Sequence, residues 1–478
     1  MKDKLLKLVK NKKALIVAGV VLLCIILILA IYFIFIKGNN EPSLQETIDG
    51  RVLAYETDLR DSLETLDSND AVVKYLVNWG KNKNIDAKAD YHNNVVFNIP
   101  ATAAANEQKP TVIVCGYNAD CMESYIHSIV CALTVAKTTT EHGDLKIIFV
   151  SENPDDSGNV EKISSKYFSD NTQAFYLGNT NNSKIGIATG GFNKYTISKN
   201  YKEVRPSNNK AYKISISGLP EQMMDSKSVK TPNPIKRLGN LLATFKSNSI
   251  IFELASFEGG KDASVTPGNA SMTIVVNNDA TTKLENQLNK AIEKFNDSYS
   301  EKYPDAAFTF EVCDLPSRVV NSDDTEHLVS LMYTLLNGEY SVDEEDDDYI
   351  TSYSNIGYIS IKARKITILT AASSYDSSKL SEITESYKTI SALSNIGFKV
   401  SSSKAVFAAN DAGKELAKNF IVSYKKYKTT ELEKKNVPEY TPCYYLSKLN
   451  EKAGLIYLGV TEKTQDNFAG GLIVHMQP

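Results

Sequence analysis

The segment Thr111–Val150 constrains the fold of this chain more than any other stretch. Two apolar runs, Val112–Cys115 and Ile147–Val150, flank a stretch whose apolar residues recur at helical spacing. A strand–helix–strand unit of this length closes a right-handed crossover between parallel strands, and strands that are apolar on both faces are covered on both sides. The segment therefore predicts an α/β domain whose sheet is covered by helices on both faces.

Two turns of this unit are the places where chemistry is expected. In open α/β sheets, ligands bind where the chain leaves the carboxyl ends of the strands. The first turn is Gly116–Glu123 and the second is Ser151–Gly158. Any functional side chain of the domain should lie in or beside these turns.

The N-terminus predicts a membrane anchor. Residues 14–36 contain no charged side chain over 23 positions, which is long enough for a helix to span a bilayer. Six lysines precede this run, whereas Lys37 alone follows it closely. The positive-inside rule then keeps residues 1–13 in the cytoplasm and places the large C-terminal part outside it. The expected location is the cell membrane, with a single transmembrane helix.

The charge of the remainder argues against a nucleic-acid partner. The whole chain carries −4, and residues 1–37 carry seven lysines and one aspartate, so the other 441 residues carry −10. A mildly acidic domain without a basic face does not favour binding to a polyanion. The spacing of Cys115, Cys121 and Cys131 matches no zinc-binding motif. We therefore expect these cysteines to be small buried residues of the core.

Beyond residue 192 the pattern changes from that of the first domain. Strand and helix patterns alternate as in an α+β domain, including a helix at Pro234–Lys246 with Asn233 as its N-cap. We expect Gly190-Gly191 to interrupt the strand pattern, and Gly471–Val474 to form a late strand of the first sheet. The predicted domains are a linker at 37–45, a first domain at 46–192 and 401–478, and an inserted lid domain at 193–400.

Six short motifs occur in an order that resembles a known enzyme family. They are YLVNWGK at Tyr75–Lys81, NVVFNIPAT at Asn94–Thr102, LGNTNNSKIGIATGG at Leu177–Gly191, GGKDASVTPGNA at Gly259–Ala270, SSYDS at Ser373–Ser377 and KAGL at Lys452–Leu455. Together they resemble the zinc metallopeptidases of the aminoacylase and carnosinase type, and most of all their aminoacyl-histidine dipeptidases. The resemblance implies a peptidase-like mixed sheet with an inserted lid domain, which commonly mediates dimerisation in this family.

The resemblance also implies where zinc ligands and substrate contacts would stand. In such peptidases, two histidines, aspartates and a glutamate pair bind one or two zinc ions. The residues at those places here are Tyr117, Ala119, Ser124, Asp155, Asp156, Gly178 and Lys452. The places of substrate-contacting residues fall near Met223, Ala263 and Ala372. None of the chain's five histidines stands at either histidine place.

These substitutions leave three interpretations open. The first is a catalytically inactive dipeptidase-like protein that binds a peptide or protein in its cleft and has no cofactor. The second is an active metal-dependent dipeptidase or amidase with a rearranged zinc site. Its candidate residues are Asp120, Glu123, His127, Asp155 and Asp156. The third is a structural envelope component whose cleft is filled by side chains such as Tyr117 and Met223. Zinc is expected only under the second interpretation.

Overall fold

The computed structural model describes residues 23, 25, 42–152, 159–179, 183–430 and 432–478. The predicted tail at 1–13 and the predicted membrane span at 14–36 lie outside the described residues, apart from Leu23 and Ile25, which are helical. Among the described residues, no helix combines the length and the apolar character needed to cross a membrane.

The first part of the chain forms most of a mixed α/β domain, here called the body. Its elements are α1 (Leu44–Ser62), α2 (Asn69–Asn82), β1 (Asp86–Ala89), β2 (Val95–Ile99), β3 (Thr111–Tyr117), α3 (Ile126–Thr138), β4 (Leu145–Ser151), β5 (Gln173–Asn179) and β6 (Lys184–Gly186). Strands β3 and β4 pair in parallel around the crossover helix α3, which confirms the predicted strand–helix–strand unit. Ser43 and Glu46 form a capping box that starts α1.

The middle of the chain forms the lid domain. Its elements are β7 (Ala188–Asn200), β8 (Glu203–Val204), β9 (Lys210–Ser217), β10 (Gln222–Met223), α4 (Pro234–Ser247), β11 (Phe252–Gly260), β12 (Val265–Thr266), β13 (Ala270–Val276), α5 (Thr281–Tyr299), β14 (Ala307–Cys313), β15 (Val319–Val320), α6 (Ser322–Thr334), β16 (Gly338–Val342), β17 (Ile350–Lys362), β18 (Lys365–Ser374), α7 (Ser377–Leu393) and β19 (Gly397–Lys404). The main path of its large sheet runs β14-β9-β13-β11-β17-β18-β7-β19. Asn233 caps α4 and Pro234 stands in its first turn, as predicted.

The last part of the chain returns to the body. Its elements are β20 (Phe407–Ala408), α8 (Asp411–Tyr427), β21 (Val437–Tyr440), α9 (Cys443–Leu449), β22 (Gly454–Val460) and α10 (Gln465–Met476). Strand β22 inserts between β5 and β6 and runs parallel to β5, so the body sheet has the order β1-β2-β4-β3-β5-β22-β6. The prediction that residues 454–460 rejoin the first sheet is therefore confirmed.

Both faces of the body sheet are covered. One face packs against α1, α2, α3, α8 and α10, and the other packs against α9 and the short 3-10 helices Val160–Lys162 and Ser165–Tyr167. The lid has a separate core between its sheet and its helices. The described residues of these cores run from Ile48 to Met476.

The predicted strand at Gly471–Val474 is wrong, because these residues lie in the buried helix α10. A short apolar run is compatible with either a buried strand or a buried helix, so its periodicity does not separate the two. The glycines instead allow close helix packing. A Cβ atom at Gly470 would lie 2.1 Å from the Tyr427 ring of α8.

The predicted interruption at Gly190-Gly191 is also wrong. Strand β7 continues through both glycines to Asn200 and so joins the body to the lid sheet. A Cβ atom at Gly190 would lie 2.0 Å from the Pro438 carbonyl oxygen of β21. The absence of a side chain therefore allows the backbones of β7 and β21 to approach closely while β7 stays extended.

Candidate functional site

A glutamate stands at the carboxyl end of β4, where the fold is expected to place its chemistry. Glu152 follows Ser151 directly, and its backbone N–H donates to the Tyr117 carbonyl oxygen at 2.8 Å. Its side chain lies over Gly116, where a Cβ atom would be 2.4 Å from the carboxyl carbon. Glycine at position 116 therefore leaves the space that the Glu152 carboxyl group occupies.

The Glu152 carboxyl group is held by two tyrosines. The Tyr176 hydroxyl of β5 donates to one oxygen, and the Tyr125 hydroxyl donates to the other at 3.3 Å. The residue as a whole is partly exposed, but its carboxyl group is enclosed by protein. Burial raises the pKa of Glu152 to about 7, although the two hydroxyls and the Lys404 ammonium favour the charged form. This carboxyl group can therefore take up or release a proton near neutral pH.

A lysine and a third tyrosine lie near the Glu152 carboxyl group. The Lys404 Nζ atom, at the end of β19, lies 4.7 Å from the centre of the Tyr440 ring. The Tyr440 hydroxyl is buried and has no hydrogen-bond partner among the residues that the structure describes. Burial, and then the nearby charge of Glu152, raise the pKa of Tyr440, which keeps this phenol protonated. An unpaired buried hydroxyl near a carboxyl group and an ammonium group marks a place where a polar ligand group would be stabilised.

The first three places implied for zinc ligands are taken by Tyr117, Ala119 and Ser124. Tyr117 is fully buried, and its hydroxyl donates to the Asn93 carbonyl oxygen at 2.5 Å. Ala119 and Ser124 lie in the 3-10 segment Ala119–Tyr125 that follows β3, and Ser124 is exposed. Burial raises the pKa of Tyr117, so its hydroxyl acts as a neutral donor there.

Gly178 and Lys452 lie at different edges of the sheet. Gly178 is near the carboxyl end of β5, and a Cβ atom there would lie 2.5 Å from the Tyr457 ring. Lys452 precedes β22, which is parallel to β5, so it lies at the amino edge of the sheet. Its ammonium is 2.8 Å from the Asp170 carboxylate and is well exposed. The structure therefore does not bring Lys452 to the carboxyl ends of the strands, where Glu152 lies.

The residues of the rearranged zinc site are only partly described. Asp155 and Asp156 lie outside the described residues, and Asp120 is exposed after β3. His127 is 4.0 Å from Glu56 of α1, and Glu123 pairs with Arg60 of α1 at 2.7 Å. Arg60 also pairs with Glu56 at 2.9 Å, so these groups form an ion-pair network on α1.

The described residues by themselves do not form a zinc site. Structural and catalytic zinc sites need three or four convergent nitrogen, sulfur or carboxylate ligands. Among the residues that the structure describes, no group of three or more His, Cys, Asp or Glu side chains is arranged to hold a metal. At the carboxyl ends of the strands, the Glu152 oxygens already accept hydrogen bonds from Tyr176 and Tyr125. The nearby Lys404 ammonium would repel a metal cation there.

The implied substrate-contacting places lie in the lid. Met223 is 48% exposed on β10, whereas Ala263 and Ala372 are buried. The Ala263 carbonyl oxygen accepts a hydrogen bond from the Asn355 side chain at 3.0 Å, and Ala372 pairs with Asn193 across two strands. Tyr117 fills space within the body, but Met223 projects partly into solvent.

Five residues of the site were not predicted: Tyr125, Glu152, Tyr176, Lys404 and Tyr440. Glu152 stands in the predicted turn Ser151–Gly158, so its position after an apolar strand was an available signal. The other four come from the 3-10 segment after β3 and from β5, β19 and β21, and no local pattern marks them as neighbours. The free thiols of Cys115 and Cys131 are buried, as predicted, whereas the prediction is wrong for Cys121, which is partly exposed after β3.

The body sheet with its inserted lid is a peptidase-like α/β fold, and a solved dipeptidase structure shares it. The crystal structure of aminoacylhistidine dipeptidase from Vibrio alginolyticus matches with a TM-score of 0.64 and 14% sequence identity, covering 87% of this chain and 95% of that chain. Human carnosine dipeptidase 1 matches with a TM-score of 0.47 and 10% identity, covering 91% of this chain and 100% of that chain. A tripeptidase from Staphylococcus aureus matches with a TM-score of 0.43 and 8% identity, covering 90% and 97% of the two chains.

Sequence comparison adds no further likeness: no protein-family model matches this chain, and no curated protein matches it. At 14% identity, the likeness to the Vibrio enzyme establishes the fold. The predicted resemblance to dipeptidase-type metallopeptidases is therefore confirmed for the fold, and activity is a separate question.

Proposed function

We propose that this protein is a membrane-anchored, catalytically inactive dipeptidase-like protein that binds a peptide or protein ligand outside the cytoplasm. The observation that supports this proposal most directly is the occupancy of the zinc-ligand places. Tyr117 donates to a backbone carbonyl, and the space beside Gly178 is filled by the Tyr457 ring. A zinc centre of the family type would have to displace these packed side chains.

The proposed ligand site lies beside the Glu152 carboxyl group, Lys404 and Tyr440. The unpaired Tyr440 hydroxyl and the Lys404 ammonium are suited to a carbonyl or carboxylate oxygen of a peptide. Replacing Tyr440 by Phe removes the hydroxyl and keeps the ring, so ligand affinity should fall roughly tenfold without a change in fold.

The anchor and the self-association of the protein are parts of the same proposal. The uncharged run at residues 14–36 and the lysines before it support a single span with the body outside the cytoplasm. A protease added to intact cells should then digest a tag at the C-terminus but not a tag at the N-terminus. Light scattering of the purified protein would test a homodimer formed through the lid.

One observation favours the second candidate function, a metal-dependent dipeptidase or amidase. Glu152 has a pKa of about 7, which suits a general base at neutral pH. Under this alternative, Asp155 and Asp156 would supply zinc ligands near it, and the ion-pair network of His127 would have to rearrange.

Metal analysis separates the two functions. The chain from residue 38 to 478, purified without a histidine tag and incubated with zinc, is measured by elemental analysis and by a dipeptide hydrolysis assay. Absence of bound zinc and of turnover is the result expected for the binding protein. Stoichiometric zinc, with turnover lost in both Asp155→Ala and Glu152→Gln, would instead establish the enzyme. The Glu64→Gln variant, which changes an exposed carboxylate after α1 and outside the candidate zinc site, is the matched control.

A further inference from the structure

The lid has a cavity far in sequence from the cleft at the strand ends. Its volume is about 480 Å³, within the usual range for small-molecule sites. It lies between β8, the end of α4, the start of β11 and the first turn of α6. The residues that matter here are Val204, Arg205, Lys246, Ile251, Phe252 and Glu253.

Most charged groups around this cavity already have hydrogen-bond or ion-pair partners. The Glu253 carboxylate accepts hydrogen bonds from the backbone N–H groups of Ser207 at 2.9 Å and Asn208 at 3.0 Å. Burial opposes the charged form of Glu253, but these donors prevail and lower its pKa. The Lys246 ammonium pairs with Glu326 at 2.9 Å. Glu326 is therefore paired with a cation, whereas Glu253 stays ionised with both of its oxygens engaged by protein donors.

Arg205 is different. It lines the cavity and is exposed, and within the described part of the chain its guanidinium has neither a hydrogen-bond nor an ion-pair partner. A guanidinium group has five N–H donors in a planar fork that matches a carboxylate. The cavity thus presents one unpaired positive group whose geometry selects an acid.

Apolar surface lies beside this unpaired charge. Ile251 is 78% exposed and Val204 is 40% exposed, although both are large hydrophobic residues, and Phe252 is half-buried next to them. Among the described charged groups of the lining, Arg205 is the one without a partner, and an apolar patch next to it matches a molecule that has an apolar chain and one charged end.

We propose that this lid cavity binds a small organic acid with an apolar body. Its carboxylate binds the Arg205 guanidinium, and its chain packs on Val204, Ile251 and Phe252. This site is independent of the cleft at Glu152, and its ligand need not be a peptide.

Three probes of equal chain length test the proposal: octanoate, octan-1-ol and octylammonium. Each is titrated calorimetrically into residues 38–478, which contain every described core residue. Octanoate should bind with one-to-one stoichiometry. Arg205→Met should weaken that binding roughly tenfold or more, and Arg205→Lys should weaken it less. Arg237→Met, in an arginine of α4 that does not line the cavity, should leave the affinity unchanged.

A second variant tests the apolar half of the site. Ile251→Ser changes an exposed side chain, so it should leave thermal unfolding unaltered while it weakens octanoate binding. The proposal is overturned if octanoate does not bind the wild type, if it binds Arg205→Met with wild-type affinity, or if octylammonium binds more tightly than octanoate.

Discussion

The Tyr176 hydroxyl donates a hydrogen bond to the Glu152 carboxyl group, across two strands that are not neighbours in the body sheet. Strand β3 lies between β4 and β5, and Gly116 of β3 has no side chain to separate the two groups. A titratable carboxyl group is thereby enclosed at the strand ends. Its protonation is coupled to folding, because the folded environment and water favour different charge states.

The stability of the protein should therefore fall as pH rises through neutrality, in part because of Glu152. Burial raises the pKa of Glu152 from 4.5 to about 7, so the folded state holds this proton more tightly than the unfolded state does. The contribution is fully present below about pH 4.5 and is lost as pH rises through 7, with an upper bound of roughly 3 kcal/mol. Urea unfolding at pH 5 and pH 8 measures it.

In the variant Glu152→Gln, the side chain at position 152 is uncharged at both pH values. This variant should thus lose less stability than the wild type between pH 5 and pH 8. Glu64→Gln, which alters an exposed glutamate after α1, is the control and should follow the wild type. An equal pH dependence in Glu152→Gln and the wild type would contradict the prediction.

Gly178→Ala should destabilise the protein by about 1–3 kcal/mol, the usual range for overpacking a core. The new Cβ atom would lie 2.5 Å from the ring of Tyr457, a buried residue stacked on Tyr176 with 6.1 Å between ring centres. Gly50→Ala is the matched control, because no atom lies within 4 Å of a Cβ at this position in α1. This control should stabilise the helix by up to about 1 kcal/mol. Denaturant unfolding compares the variants, and equal stabilities would show that the Tyr457 ring moves freely.

Lys236→Met should lower the free energy of unfolding by roughly 2 kcal/mol. The Lys236 ammonium donates to the carbonyl oxygens of Met332, Tyr333 and Leu335, each at 2.8 Å, at the end of α6. A cation there also interacts favourably with the helix dipole. Methionine keeps the apolar stem but leaves these carbonyls without the donor. Lys283→Met, at an exposed site of α5, should change stability by less than about 0.5 kcal/mol in the same unfolding experiment.

Tyr349→Leu should loosen the contact between the lid and the body. The Tyr349 ring lies between two ammonium groups of the body, with its centre 4.5 Å from Lys184 and 3.8 Å from Lys435. The neighbouring Asp346 pairs with Lys435 at 2.8 Å. Each cation–π contact contributes about 0.5–2 kcal/mol. The variant should show faster limited proteolysis and a larger radius of gyration in X-ray scattering, whereas Tyr91→Leu, at a fully exposed tyrosine, should not. Unchanged values in Tyr349→Leu would mean that other contacts hold the lid.

Sequence patterns predicted the elements whose signals are local. The crossover of β3, α3 and β4 has long apolar runs, and α4 has both an Asn cap and a first-turn proline. The helix α10 was mistaken for a strand, because a short apolar run with two glycines has no distinct period. The course of β7 was missed because Gly190 serves a backbone approach by β21, and a local pattern does not reveal a distant neighbour.

By itself, the sequence determined the α/β body, the inserted lid and the resemblance to dipeptidase-type metallopeptidases, because periodicity, caps and ordered motifs are properties of short segments. Only the tertiary structure decided what surrounds the strand ends. Glu152, Tyr176, Lys404 and Tyr440 are separated by up to 288 positions, and their burial and charges depend on strands that meet only in the folded sheet. Desolvation and the interaction between charges are properties of that packed arrangement. Local sequence patterns therefore do not reveal them.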